Sequence, residues 1–387
     1  MKQETKIKVL ECIRQGQIGG GESHLLSLLQ NMDRDRFDPV VLSFTDGPMI
    51  EKVKEMGIDS RVIYTETPFD IKKWKVVKRY LKEKDIKLVH AHGTRASSNV
   101  LWAARSLGIP VVYTIHGWSF HQDQPWLVRK VRVFAETYLT KKSARNISVS
   151  ASNQQAGKKF IPKLSSVVVN NGIDHKKFDA TGQFHNVREE LGIGSGVLLV
   201  LFLARFTSHK QPLKLIDAFA KIAGEMPAMR LLMVGDGDEK EQAETMISNL
   251  GLSGRVILSP FRQDVPDVLA AADIYVLPSL WEGMPIGLIE AMAMGKAVIA
   301  TNVDGSKEMI QHDRNGILVS TDNLVDNLAA SLHRLASDAA LRRILGEQAL
   351  NTVKDSYNAK KMTREIEDIY KEVLSDIKET SGSQSIN

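Results

Sequence analysis

Short, uninterrupted apolar runs alternate with longer amphipathic stretches along nearly the whole chain. Residues 7–13, 38–44, 87–93, 110–117 and a run around Arg61–Tyr64 read as strands in the first part. Residues 196–204, 230–234, 255–261, 274–277, 295–301 and 316–320 repeat the pattern in the second. Runs that stay apolar rather than alternating with polar residues fit strands buried on both faces of a parallel sheet. Between them lie stretches of helical spacing, such as SHLLSLLQNM with Leu25, Leu28 and Leu29 on one side, and SSNVLWAARSLG. The C-terminal part is helical, through DNLVDNLAASLHRLASD and again from about Ala359 to Ile377. Strand–helix alternation of this kind predicts an α/β fold. At 387 residues there is room for two domains. The expected division is 1–180 and 181–365, with a linker from Phe178 to about Val187, a final helix at 366–380 and a tail at 381–387 too polar to fold.

Composition narrows the class. With 43% hydrophobic and 25% charged residues the chain reads as a soluble globular protein. The single cysteine, Cys12, excludes an internal disulfide, fits a reducing compartment and sits in an apolar run as a core side chain. The polar N-terminus does not read as a signal peptide, and no run is long enough to span a membrane. A cytoplasmic location is therefore expected. Charge is unevenly spread: residues 1–180 carry 30 Lys and Arg against 18 Asp and Glu, the remainder 21 against 28. The basic half suits an anionic partner. Two basic amphipathic stretches stand out there, 72–85 (Trp74, Val77, Leu81) and 126–145. Each has two readings: a surface helix with its apolar face in the core, or attachment to anionic lipid, each basic residue contributing about 1 kcal/mol. Trp118, Phe120 and Trp126 are either core aromatics or aids to a glycan or lipid-linked acceptor.

The chemistry concentrates at 273–295. The strand Ile274–Leu277 ends at Pro278 and Ser279; a polar loop carries Glu282, and a helix from about Ile286 carries Glu290. Free N–H groups and the dipole at that helix start suit a phosphate, and Gly283 and Gly287 allow close backbone approach. Carboxylates repel phosphate, so Glu282 and Glu290 should meet hydroxyls, as on a ribose and a sugar. Arg205 and Lys210 follow the end of strand 196–204. Two cations there suit a diphosphate leaving group, the alternative being surface salt bridges. In the first half, a strand, the glycines Gly19, Gly20 and Gly21, and a helix form a unit of nucleotide-binding type. Neither a G-x-G-x-x-G fingerprint nor a P-loop is present. His116 ends a strand, where open α/β sheets bind ligands; His92 and Arg95 end the preceding one, within reach of acceptor or phosphate. The two D-x-D triplets, Asp33–Asp35 and Asp236–Asp238, read as turns rather than metal sites.

The E-x7-E spacing of Glu282 and Glu290, flanked by DVPDVLAAADIYVLPS and AMAMGKAVIATNVDG, resembles the signature of the retaining family 4 glycosyltransferases. The TIHG around His116, the NGID at 171–174 and the Arg205–Lys210 spacing match that family as well; Gln211 departs from it, standing where glycine is common. The resemblance spans about residues 7–375. It implies a GT-B fold, two Rossmann-like parallel-sheet domains facing a central cleft, with the last helix returning to the first domain. It implies retaining transfer from a nucleotide-sugar, with a UDP-sugar and a glycan or lipid-linked acceptor of the bacterial cell surface as the expected substrates. Front-face attack is the favoured picture, a donor phosphate oxygen taking the acceptor proton.

By the same resemblance, His116, Arg205, Lys210 and Glu282 form the catalytic set. Gly19 and Gly20, with the backbone around Gly283, Met284, Pro285, Ile286, Gly287 and Leu288, attend the diphosphate. Glu290 takes the ribose, Glu282 the sugar hydroxyls, and the segment at Phe261 and Arg262 the nucleobase. His92, Arg95 and Trp118 are the acceptor candidates. No metal, cofactor or nucleic acid is expected, and a peripheral place on the inner membrane face is. The rivals are a GDP-sugar enzyme with a soluble acceptor, a nucleotide-sugar epimerase, a pyridoxal-phosphate phosphorylase, and a non-catalytic membrane-surface scaffold. E-x7-E together with the Arg–Lys pair speaks against the last three.

Overall fold

Apolar strands buried on both faces need helices on both sides, and each half of the chain supplies them. The computed structural model describes residues 6–16, 19–121 and 124–382, which divide into two compact units. Unit 1 holds residues 1–172 and 358–387; unit 2 holds 173–357.

Unit 1 runs β1 (Ile7–Ile13), α1 (Gly20–Asn31), β2 (Phe37–Ser43), α2 (Pro48–Glu55), β3 (Asp59–Val62), α3 (Ile71–Glu83), β4 (Leu88–His92), α4 (Thr94–Arg105), β5 (Val111–Ile115), α5 (Trp126–Lys142), β6 (Arg145–Ser148), α6 (Ala151–Phe160) and β7 (Val167–Val168). Its sheet is parallel, in the order β3-β2-β1-β4-β5-β6-β7. The order reverses between β1 and β4, which is where open sheets of this kind leave a crevice. Leu10 and Cys12 point to one core layer; Val9 points to the other, beside Leu28 and Phe37. Cys12 is fully buried, as its surroundings predict.

Unit 2 runs α7 (Val187–Glu190), β8 (Leu198–Leu203), a 3₁₀ turn at Ser208–Lys210, α8 (Pro212–Ala223), β9 (Met229–Val234), α9 (Lys240–Asn249), β10 (Val256–Ser259), α10 (Val265–Ala271), β11 (Ile274–Leu277), α11 (Ile286–Ala293), β12 (Ala297–Thr301), α12 (Asp304–Met309), β13 (Ile317–Val319), α13 (Leu324–Ser337) and α14 (Ala339–Val353). Its parallel sheet has the order β10-β9-β8-β11-β12-β13, reversing between β8 and β11.

Three boundaries differ from expectation. The units part between Gly172 and Ile173, not at 180/181, because the second half of the NGID turn already bonds within unit 2: Ile173 N–H donates to Tyr357 O (2.8 Å). The last helix, α15, runs Ala359–Gly382: it starts where its spacing predicts, but ahead of the division expected at 366. Asn358 caps it, its side-chain oxygen accepting from Lys360 N (2.8 Å). Met362, Ile366, Ile369, Tyr370 and Val373 then bury its inner face in unit 1. The tail expected at 381–387 is helical as far as Gly382; the rest lies outside the described residues.

The two basic helices separate cleanly. In α3, Val77, Tyr80 and Leu81 face the core, so it is an ordinary surface helix. In α5 only Glu136, Leu139 and Thr140 are buried. Leu127, Val131, Phe134 and Tyr138 fall at i, i+4, i+7 and i+11 and form an outward stripe, with Val131 63% and Phe134 76% exposed.

Candidate active site

At the switch point of unit 2, the loop after β8 and the loop after β11 are stitched together. Leu280 N–H donates to His209 O (2.7 Å). The His209 ring stacks on Trp281, centroids 4.2 Å apart and planes 10° from parallel. Next to this stack the Lys210 ammonium pairs with the Glu282 carboxylate, both largely shielded from water. A mostly desolvated, hydrogen-bonded pair of this kind fixes both side chains. From the other side, Thr301 Oγ1 bonds to Ser279 O, and Gly305 N–H donates to Glu282 O (3.3 Å).

Gly305 has no room for a side chain: a Cβ there would sit 2.5 Å from the carbonyl oxygen of Gly283. Neither backbone can yield without moving the loop that carries Glu282. Gly305→Ala is therefore expected to weaken nucleotide-diphosphate binding about 10-fold or more. The test is isothermal titration beside a thermal melt; unchanged affinity in the folded variant would show that the α12 brace does not position the loop.

Helix α11 begins at this loop, and the amides of Ile286 and Gly287 in its first turn have no partner within the helix. At Gly287 packing alone already requires glycine, since a Cβ would come 2.8 Å from the Tyr275 hydroxyl. Met284, Ile286 and Leu288 bury their side chains, leaving only backbone for a ligand. Glu290 lies on the next turn, and burial pushes its carboxyl up to about 7, with Lys177 pulling the other way. Arg205 is exposed and makes no ion pair among the described residues.

Gln211 adopts the left-handed conformation (φ 54°), which explains why glycine is favoured there. The Arg262 guanidinium is locked to Glu190 and Asp264, which leaves the backbone near Phe261, the part of this segment expected to meet a nucleobase. Asp236 accepts from Phe261 N–H (2.9 Å) and pairs with Lys240, a turn role, and in the other triplet Asp33 accepts from Asp35 N–H (3.0 Å).

At the switch point of unit 1 the structure assembles a buried polar cluster of which the sequence singled out only His92 and His116. Glu11 lies opposite His90 in the sheet, and His92 opposite Thr114. His92 Nε2 donates to Glu11 (2.8 Å), and the Tyr370 hydroxyl from α15 donates to the other Glu11 oxygen (2.7 Å). His90 bridges Tyr370 (2.6 Å) and Thr114 (2.7 Å). His116 Nε2 lies 3.1 Å from His92 Nδ1, and His24 Nδ1 lies 2.9 Å from Asn171 Oδ1. Although desolvation opposes it, contact with His90 and His92 holds the Glu11 carboxyl well below its usual range. Burial and the neighbouring imidazoles push His24 and His92 down to about 3 and about 4, so both are neutral.

Ring nitrogens of His24, His92 and His116 lie within 4.8 Å of one another, as metal ligands could. The 3.1 Å His92–His116 contact instead calls for a shared proton. His92 and Trp118 are corrected as acceptor contacts. His92 is buried and committed at both nitrogens. Trp118 is in the core against Gly157, its indole N–H donating to Asn153 O (2.8 Å). Arg95 opens α4, half-buried near Arg14. Gly19 and Gly20 open α1, and a Cβ at Gly20 would meet nothing; Gly21 packs on the His116 ring.

Two Rossmann-like sheets, the second with a cation–carboxylate pair and a helix start at its switch point, place the chain in a class of α/β proteins whose switch-point crevices suit a nucleotide. The family model for "Glycosyl transferases group 1" matches residues 183–352, and that for "Glycosyltransferase Family 4" matches 18–177. The chain belongs to the family 4 glycosyltransferases and has the GT-B fold.

It is 25% identical over 377 residues to the Escherichia coli UDP-Gal:alpha-D-GlcNAc-diphosphoundecaprenol alpha-1,3-galactosyltransferase, covering 95% of this chain and 97% of that one. It is 26% identical to the N-acetyl-alpha-D-glucosaminyl L-malate synthase of Bacillus anthracis, covering 84% of each. Among solved structures, HepE of Anabaena in complex with UDP-glucose superposes with TM-score 0.83 at 23% identity, over 95% of this chain and 100% of that one.

Proposed function

We propose that the protein is a retaining transferase that moves a hexose from a UDP-sugar to a lipid-linked acceptor at a membrane surface, in assembly of a bacterial cell-surface polysaccharide or glycolipid. The outward apolar stripe of α5 carries the lipid half of this reading. Leu127, Val131, Phe134 and Tyr138 stand among Arg129, Lys130 and Arg132, and Lys130 lies 4.6 Å over the Trp126 ring. A helix that turns its apolar residues outward inside a ring of cations matches an anionic bilayer surface. The two relatives named above use different acceptors, a lipid diphosphate and malate, so α5 favours the first for this chain.

The donor half rests on unit 2. Lys210 has three N–H groups, so its bond to Glu282 leaves others for phosphate oxygens. Lys210, Arg205 and the first amides of α11 would hold the diphosphate as charge develops on it, while Glu282 and Glu290 accept from sugar and ribose hydroxyls. Charge neutralisation without a metal implies that turnover persists in EDTA.

The test measures UDP or GDP release from UDP-glucose, UDP-galactose, UDP-N-acetylglucosamine and GDP-mannose, with and without a lipid extract. Release from a UDP-sugar that requires the extract is the expected result, with the new linkage keeping the donor's anomeric configuration by NMR. Release with a soluble acceptor alone overturns the lipid assignment, and no release from any donor overturns the transferase reading. In parallel, Val131→Asp/Phe134→Asp should reduce cosedimentation with vesicles containing phosphatidylglycerol at least 10-fold without lowering the melting temperature. Equal binding by both proteins would remove α5 from the membrane face.

A further inference from the structure

The cluster at the switch point of unit 1 sets the proton arrangement of His116. Glu11 is fully buried and ionised, so both its oxygens can only accept. His92 Nε2 must therefore carry the proton it gives to Glu11, 2.8 Å away. A neutral imidazole has one N–H, which makes His92 Nδ1 a lone pair. That lone pair faces His116 Nε2 at 3.1 Å, with the two rings only 20° from parallel planes. The contact is a hydrogen bond only if His116 Nε2 holds the proton. His116 Nδ1 is then a lone pair as well, and it is buried with no donor among the described residues. An unmatched buried acceptor is destabilising, a cost that a hydroxyl donated by a substrate relieves.

We propose that Glu11 and His92 are positioning residues for glycosyl transfer: they hold His116 in its Nε2–H tautomer, so that Nδ1 is left as an unmatched acceptor for a sugar hydroxyl. Tyr370 and His90 complete the arrangement. The Tyr370 hydroxyl donates to Glu11 and accepts from His90 Nδ1, and His90 Nε2 accepts from Thr114. Tyr370 comes from α15, so the helix that closes the sequence pins the carboxylate that starts the relay. The hydroxyl-accepting role rests on the transferase reading above; the tautomer does not.

The experiment is Glu11→Gln, read by histidine nitrogen NMR and by kinetics. In the wild-type protein, long-range nitrogen–proton correlation should show His116 protonated at Nε2 and His92 likewise. In the Glu11→Gln variant the new side-chain amide can donate to His92 Nε2, which moves the His92 proton to Nδ1 and the His116 proton to Nδ1. His116 then presents a donor instead of an acceptor. We expect kcat to fall about 10–100-fold, the range for loss of a group that orients a functional imidazole, with donor KM within about twofold. Glu11→Asp, which keeps an acceptor, should recover part of that loss.

His116 protonated at Nδ1 in the wild-type protein overturns the proposal even if Glu11→Gln does not fold. A switched tautomer with unchanged kcat overturns the role of His116 in transfer. If no sugar donor is turned over by the wild-type protein, the NMR arm still decides the tautomer, so failure of the transferase reading is seen separately.

Discussion

Lys210→Met is expected to lower kcat for sugar transfer about 10²–10³-fold, the usual loss when one preorganised donor to developing charge is removed. The ammonium is held against Glu282 before any substrate arrives, so it needs no reorganisation as the diphosphate departs. Arg205 and the α11 amides remain, which is why the loss should stop short of complete inactivity. The same change leaves Glu282 without its cation in a largely shielded place, which costs about 1–3 kcal/mol of stability and lowers the melting temperature. The double variant Lys210→Met/Glu282→Gln separates the two effects. It removes the stranded charge, so the melting temperature should return towards wild type while kcat stays low. If Lys210→Met keeps kcat within about threefold, or if the double variant restores activity along with stability, Lys210 is a structural cation and the diphosphate is neutralised elsewhere.

What could be read from the sequence was what is local. Strand and helix identities follow from uninterrupted apolar runs and helical spacing, and the Glu282–Glu290 segment is a strand, a loop and a helix in one continuous stretch. What could not be read depends on topology. Glu11, His24, His90, His92, His116 and Tyr370 are scattered over most of the chain, and only the order of β1, β4 and β5 with the return of α15 brings them together. A signal was present nonetheless. Glu11 interrupts an apolar strand, and His90 and His92, two residues apart, share one face of another; buried polar groups on a parallel strand must find partners.

Trp118 stood between the core and an acceptor for a related reason: only the close passage of Gly157 makes the slot that takes its indole into the core. The opposite held for α5, whose spacing is that of an ordinary amphipathic helix. Nothing in that spacing says that its inward face is built on Glu136, bonded to Thr94 (2.6 Å), Tyr113 (2.9 Å) and Ser119 (2.7 Å), so that the apolar stripe is left outside.

Glu290 gives donor binding a pH dependence with a definite sign. Burial raises its carboxyl to about 7 in the ligand-free protein, against the smaller opposing pull of Lys177. Tyr275 is the other titratable group coupled to it, and burial with the nearby Glu290 and Glu282 charges keeps its hydroxyl protonated throughout the working range. A ribose offers hydroxyl donors, which favour the ionised carboxylate, so the nucleotide selects the deprotonated form and lowers the carboxyl's titration point. With a starting value near 7, the ionised fraction falls about 10-fold from pH 8 to pH 6. Affinity for UDP-glucose, whose esterified diphosphate has no second ionisation near neutrality, is therefore expected to be about 10-fold weaker at pH 6 than at pH 8, and binding near neutrality should release protons to the buffer. Titration calorimetry in two buffers of different ionisation enthalpy measures both effects. Glu290→Gln should bind weakly at every pH with the slope abolished. A variant that keeps the wild-type slope would assign the pH dependence to another group and take Glu290 off the ribose.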